Sequence, residues 1–257
     1  MTTIDARGRK PGVRPSSTSK SAALRPRDAA TLIMVDRALG VPRILLGRRR
    51  PDMKFMPGKY VFPGGRVDRA DRYVEASDEL AEHETQRLMV DMKGGPSAIR
   101  ARCLALAAVR ETWEEAGIII GAPAGEDAKV PTDASWRTFH DQGFSPRLSP
   151  LTFFARAITP PGRPRRFDTR FFCVEALNIA HQTTPPDDEL SDLVWMSIDD
   201  ARDLDLPPIT RVILEDLRDR MGRGALTSPN AAVPYYFNRN GTFKRELITA
   251  PGDASST

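Results

Sequence analysis

The chain has 257 residues, enough for one large domain or two small ones, and 40% of them are hydrophobic, enough for a packed core. No apolar run approaches the ~18–20 residues that a membrane-crossing helix needs, and the mean hydropathy is −0.40. The pI of about 9.3 comes from one end. Residues 1–27 hold seven Lys and Arg against one acidic residue, and subtracting their net +6 from the formal +4 leaves the remainder at −2. That balance argues against a broad nucleic-acid footprint.

Residues 1–28 read as a basic tail, rich in Arg and Ser and without the apolar core of a secretory signal. A bacterial leader without fixed structure and an organellar transit peptide both suit it, and its removal (residues 1–26) is expected to leave activity unchanged. Ala30–Val35 and Arg43–Gly47 then read as strands about the turn Leu39-Gly40-Val41-Pro42. Tyr60-Val61-Phe62 is a short strand entering Pro63-Gly64-Gly65. A helix is predicted around Glu75–Met92, ended by Lys93-Gly94-Gly95-Pro96. A second runs from about Ser97 to Ala116, with Leu106, Val109 and Trp113 as its apolar stripe and Gly117 as its left-handed end. Ile118-Ile119-Ile120 is expected to enter the sheet.

Further strands fall at about 151–158 and 168–176. Val194-Trp195-Met196 is another, followed by a short helix capped by Ser197 and Asp200. Pro207–Met221 repeats apolar residues every fourth position, and Asn240-Gly241 makes a hairpin turn between Tyr235-Tyr236-Phe237 and Thr242-Phe243. The alternation lacks a strict parallel rhythm, so the expected class is α/β with a mixed sheet flanked by helices. The chain is read as one domain over 29–248, with an insertion at about 72–95 and a flexible end over 249–257. Cys103 and Cys173, two cysteines in a predicted helix and strand, suit a reduced, cytoplasmic setting better than a disulfide framework.

Chemistry concentrates in Arg110-Glu111-Thr112-Trp113-Glu114-Glu115-Ala116-Gly117. On a helix, Glu111, Glu114 and Glu115 share one face, and each like-charge pair costs roughly 0.2–0.5 kcal/mol in isolation. A solvated acidic face is one reading. A hard divalent cation held by carboxylate oxygens is the other, and the glycines Gly64 and Gly65 upstream favour it. Arg110 points to a neighbouring sector and suits orienting a carboxylate by bidentate hydrogen bonds.

With Gly65, Arg110-Glu111, Glu114-Glu115 and Gly117-Ile118 in place, the chain resembles the Nudix hydrolases, whose box reads G-x5-E-x7-R-E-U-x-E-E-x-G-U, U being aliphatic. Asp71 stands where the first glutamate belongs, and Thr112 where the aliphatic residue does. Residues 72–109 number 38 where the box has seven, so the match is split by an insertion. Such an insertion is similar to the peroxisomal coenzyme A diphosphatase branch and its bacterial relatives. So is Ile158-Thr159-Pro160 with Arg165-Arg166-Phe167-Asp168-Thr169 and Phe171-Phe172. Leu45-Leu46-Gly47-Arg48-Arg49, leading to Gly58 and Phe62-Pro63-Gly64-Gly65, partly matches the coenzyme A diphosphatase signature. Gly47, Arg50 and Met53-Lys54 are its departures.

The resemblance implies an α/β/α sandwich and Mg²⁺- or Mn²⁺-dependent hydrolysis of a nucleoside diphosphate linked to X. It makes Glu111, Glu114 and Glu115 metal ligands and, with Arg110, catalytic residues. Arg49, Lys54, Gly64, Gly65 and Arg66 are the expected substrate-binding residues. Arg48, Arg50 and Lys59 crowd the same stretch, either as a solvated basic edge or as a phosphate cradle that Arg163, Arg165 and Arg166 would extend. Asp71 is a candidate partner of Arg110, and Asp187, Asp188 and Glu189 are candidates for a further carboxylate. His83, His140 and His181 stand singly and suit structural roles.

Coenzyme A or an acyl-CoA is the substrate first expected, with ADP-ribose, NADH and dinucleotide polyphosphates as alternatives within the class. A non-catalytic nucleotide-sensing or interaction module is the alternative of another class. The expected partner is a small nucleotide-type substrate, with no membrane and no nucleic acid, and a homodimer is left open.

Overall fold

A computed structural model describes residues 24–229 and 231–249. Most of the expected tail and end therefore lies outside the described residues. β1 (Arg27–Asp36) starts two residues before the expected domain edge and is buried on both faces for most of its length. It pairs antiparallel with β2 (Arg43–Arg49) on one side. β3 (Tyr60–Val61) adds to β2, and β4 (Gly64–Arg66) lies antiparallel on the start of β1, with Thr31 opposite Gly64 and Ala29 opposite Arg66.

The insertion folds differently from its expected single helix. Only Glu82–Met89 is helical, as α1. The preceding residues form a strap whose backbone bonds are used elsewhere. Asp78 accepts from the backbone N–H groups of Leu148 and Ser149 at 2.7 and 2.8 Å, and Ser77 donates its N–H to Pro146. Leu88 and Met92 are buried in the core.

α2 (Ala98–Ala116) follows the sequence reading closely. Ser97 caps it, its hydroxyl accepting from Arg100 N–H, and Gly117 ends it at φ 64°. Thr112 is fully buried without loss, because its hydroxyl donates to the Ala108 carbonyl at 2.8 Å. The residues after α2 do not join the main sheet. β5 (Ile118–Ile119) pairs only with β10 (His181–Gln182), while β6 (Gly121–Pro123) pairs with β7 (Phe144–Pro146) across α3 (Ala134–His140). Ala180 and Thr183 bond back to Ile119 and Gly117, which occupies this backbone on a loop.

β8 (Thr152–Ile158) and β9 (Phe167–Glu175) return to the main sheet, β9 parallel to β1 over its whole length. β11 (Leu190–Ser197) is longer than expected and bulges between Ser191 and Val194. The Ser197-capped α4 (Ile198–Ala201) and α5 (Pro208–Gly222) follow. The hairpin β12 (Val233–Arg239) and β13 (Thr242–Ile248) turns at Asn240-Gly241, both at positive φ. The sheet order is β11-β2-β1-β9-β8-β12-β13, mixed in sense.

Alternation along β1 sets the layers. Ala30, Leu32 and Met34 pack with the α2 side chains Leu104, Ala108 and Val109, whereas Ile33 and Val35 pack with Ile213, Leu214 and Leu217 of α5. Helices on both faces make the α/β/α sandwich.

Candidate active site

The site begins with the last two turns of α2. Arg110 is 6% exposed and binds four groups at once. Its Nε and Nη2 donate to the two carboxylate oxygens of Asp71 at 2.8 and 3.3 Å. Nη1 donates to Glu111 at 3.0 Å and Glu114 at 2.7 Å, and Nη2 also reaches the Arg66 carbonyl at 2.8 Å. Burial opposes the guanidinium charge, but the Asp71 hydrogen bond and the surrounding carboxylates hold its pKa above the ordinary value. Asp71 is fully buried and also accepts from Trp136 Nε1 at 2.9 Å and from the Asp68 N–H at 2.7 Å. Arg110 therefore orients carboxylates, and Asp71, standing where the box departs from glutamate, is its anchor.

Glu111 and Glu115 line a cavity of about 660 Å³ at the start of β1 and β9. Glu115 is 3% exposed and accepts from the Gly64 N–H at 2.8 Å. Burial, then Glu111 beside it, pushes its pKa well up. Burial likewise pushes Glu111 up to about 7, with Arg110 pulling it down and Glu114 adding to the rise. Glu114 is held on Arg110 and does not line the cavity. Thus the structure brings Glu111 and Glu115 together on the cavity wall and keeps Glu114 on Arg110, outside the lining. No cluster of three His, Cys, Asp or Glu side chains arranged to hold a metal occurs among the described residues.

The fit to a cation rests on this pair. Buried Glu115 and half-buried Glu111, each made harder to ionise by desolvation and by a neighbouring carboxylate, form a donor set whose charge a divalent ion would compensate. Glu189 also lines the cavity, which separates it from the other two acidic candidates. The 183–189 loop that carries it clasps the end of α2 through Thr183 N–H to Gly117 and Asp187 N–H to Glu114, both at 2.9 Å. Asp188 pairs with Arg50 instead.

Alternation sorts the basic residues. Arg49 faces the cavity, donating to Glu189 and to the Phe55 carbonyl, while Arg48 and Arg50 on either side pair with Asp192 and Asp188. Lys59 pairs with Asp205. Met53, Phe55 and Met56 line the cavity, whereas Lys54 between them is exposed and is not part of the lining. Gly64, Gly65 and Arg66 line it as expected, as do Arg165 and Arg166. Phe167 packs edge-on against Phe55 with ring centres 5.7 Å apart, and Asp168 is a buried partner of Arg156. None of the three histidines reaches the cavity.

Three contributors escaped the sequence reading. Arg25 and Arg27, assigned to the tail, line the cavity. The signal was the strand alternation, which runs on to Arg27. Trp136 had no such signal, lying 65 residues from the Asp71 it holds.

The fold and this constellation define a Nudix hydrolase. Residues 26–204 match the family model described as the NUDT19 Nudix domain, and the chain belongs to that family. Human acyl-coenzyme A diphosphatase NUDT19 is 29% identical over a match covering 51% of this chain and 47% of the human protein, so the chain spans about half the length of that relative. A solved NUDIX hydrolase from Alicyclobacillus acidocaldarius is 24% identical, with a TM-score of 0.56, over 82% of this chain and 95% of that one. That likeness bears on the fold.

Proposed function

We propose that the chain is a divalent-metal-dependent diphosphohydrolase that opens the P–O–P linkage of a nucleoside diphosphate joined to X, with coenzyme A or an acyl-CoA as substrate. The observation that carries the reading is the pair of half-buried Glu111 and buried Glu115 on the cavity wall, held beneath Gly64 and Gly65. A Mg²⁺ or Mn²⁺ on these carboxylates would neutralise phosphoryl oxygens and acidify a bound water.

This chain's own residues supply the rest. The proton of an attacking water passes to one of the two carboxylates as its oxygen bonds to phosphorus. The anhydride P–O bond breaks, and the leaving phosphate keeps the electron pair. Arg110, anchored on Asp71, fixes the helix end that presents both glutamates. The cavity's volume of about 660 Å³, with Phe55, Phe62 and Phe171 in its walls, suits a large nucleotide conjugate.

A panel of coenzyme A, an acyl-CoA, ADP-ribose, NADH and a dinucleotide polyphosphate, assayed by mass spectrometry with Mg²⁺, Mn²⁺ or chelator, tests this. Coenzyme A should give 4′-phosphopantetheine and adenosine 3′,5′-bisphosphate in a metal-dependent way, and Glu115→Gln should abolish turnover. Higher kcat/KM on ADP-ribose would move the substrate to the housecleaning class. No hydrolysis of any diphosphate, or full activity in Glu115→Gln, would remove the enzymatic reading.

A further inference from the structure

The mouth of the cavity carries more positive charge than its own walls use. Arg25, Arg27, Arg66 and Arg165 all line it, all are exposed, and none has an ion-pair partner among the described residues. Arg49 differs, being paired with Glu189. Arg166 is also committed, with its guanidinium on the Leu24 and Thr159 carbonyls at 2.7 and 3.0 Å.

Those bonds place the free arginines. Arg27 N–H donates to the Arg166 carbonyl at 2.9 Å, and Arg27 stands opposite Phe167 in the parallel β1–β9 register. The segment before β1 is thereby tied to the segment before β9, and Arg25, Arg27 and Arg165 converge where both strands begin. Thr31, opposite the Gly64 that Glu115 holds, is four residues further along β1. At ~3.3 Å per residue Arg27 and Thr31 stand about 13 Å apart along β1, with Ala29 and the Arg66 opposite it between them. One cavity therefore has an acidic end and a basic end.

We propose that Arg25, Arg27, Arg66 and Arg165 form a second anion subsite, which binds a terminal phosphate monoester on the substrate, apart from the diphosphate opened at Glu111 and Glu115. This deepens the reading given under Proposed function and rests on it for the substrate's identity. A phosphate monoester carries about −1.5 to −2 charges at neutral pH and three acceptor oxygens. Guanidinium groups match that geometry with paired, charge-assisted hydrogen bonds. A diphosphate lacking the extra group leaves these four side chains in water. The subsite therefore discriminates among nucleotide conjugates, and Leu24–Arg27 belongs to the substrate site.

The test has a kinetic arm and a binding arm, both on the full chain. The kcat/KM ratio of coenzyme A to its 3′-dephospho form should be about ten or more, the factor that one charge-assisted hydrogen bond contributes. Arg25→Ala and Arg165→Ala should each lower kcat/KM several-fold more on coenzyme A than on the dephospho form. Equal losses on both substrates, or an unaltered ratio, would overturn the subsite and leave a solvated basic rim.

In the binding arm, adenosine 3′,5′-bisphosphate and adenosine 5′-monophosphate are titrated calorimetrically without metal. The bisphosphate should bind about ten-fold tighter, and the double variant that combines Arg25→Ala with Arg165→Ala should lose that preference. Equal affinities in the wild type, or a preference surviving in the double variant, would also overturn the subsite. Preferential bisphosphate binding by a protein that hydrolyses no diphosphate would uphold the subsite and remove the hydrolase reading, so the two failures are distinguishable.

Discussion

Gly65→Ala separates the fold from the site. A Cβ at position 65 would lie 2.5 Å from the Cδ and 2.6 Å from the Oε1 of Glu111, against the ~3.5–4.0 Å at which carbon atoms sit comfortably. The carboxylate must retreat by about 1 Å. Because the obstructing atoms are the far end of a side chain, β4 and α2 need not move, and the stability loss should be about 1 kcal/mol, or roughly 2–4 °C in Tm for a domain of this size. Catalysis is far less forgiving, since a displacement of about 1 Å at the reacting groups can cost on the order of 100-fold.

The comparison variant is Gly117→Ala. There the chain is left-handed at φ 64°, and the new Cβ would lie 2.9 Å from the Pro185 nitrogen and 3.0 Å from the Thr183 carbonyl carbon. Backbone cannot yield as a side chain does, and the αL conformation alone adds about 1–2 kcal/mol. Differential scanning fluorimetry and steady-state rates at saturating Mg²⁺ should therefore show Gly65→Ala losing activity with little loss of Tm, and Gly117→Ala losing Tm heavily. A Gly65→Ala protein with wild-type kcat would refute the placement of Glu111 at the reacting centre.

Two further outcomes follow from the same network. Glu111 has its pKa raised to about 7 by burial. Its contribution to stability is fully present below the unfolded carboxylate pKa and is lost as pH rises through about 7. Metal-free wild type should thus lose Tm relative to Glu111→Gln between pH 5 and 8, and parallel Tm curves would count against the raised pKa. Asp71→Ala leaves buried Arg110 without its two-pronged partner and strands the Trp136 and Asp68 donors. It should cost about 3–5 kcal/mol by chemical denaturation, and a loss below about 1 kcal/mol would show that Asp71 is not the anchor.

What could be read in advance was whatever depends on local periodicity. The limits of α2, its serine cap and left-handed glycine, the strands beside Leu39–Pro42, and the Asn240-Gly241 turn all follow from spacing a few residues long. Such signals say where a segment bends and which face it buries, but not what that face will meet. Lys54 and Arg49 lie five residues apart in one basic stretch, and only the fold of the 50–58 loop decides that Arg49 lines the cavity and that Lys54 is not in its lining. The strap before α1 was illegible for the same reason, since Asp78 answers to backbone N–H groups some seventy residues distant.

The separation of the three glutamates goes further. Residues at i, i+3 and i+4 do share a helix face, but Arg110 holds Glu114 at i+4 from itself and so leaves two carboxylates, rather than three, to face the cavity. Whether a cation recruits Glu114 away from Arg110 is then a competition between two positive charges for one carboxylate. If Mg²⁺ wins, Glu114→Gln should weaken metal binding by about ten-fold or more; if Arg110 keeps it, the same variant should lose stability and leave the metal affinity alone. Titrating Mn²⁺ by electron paramagnetic resonance into both proteins separates these outcomes, and it measures how far the arginine that anchors the site also sets its affinity for the ion.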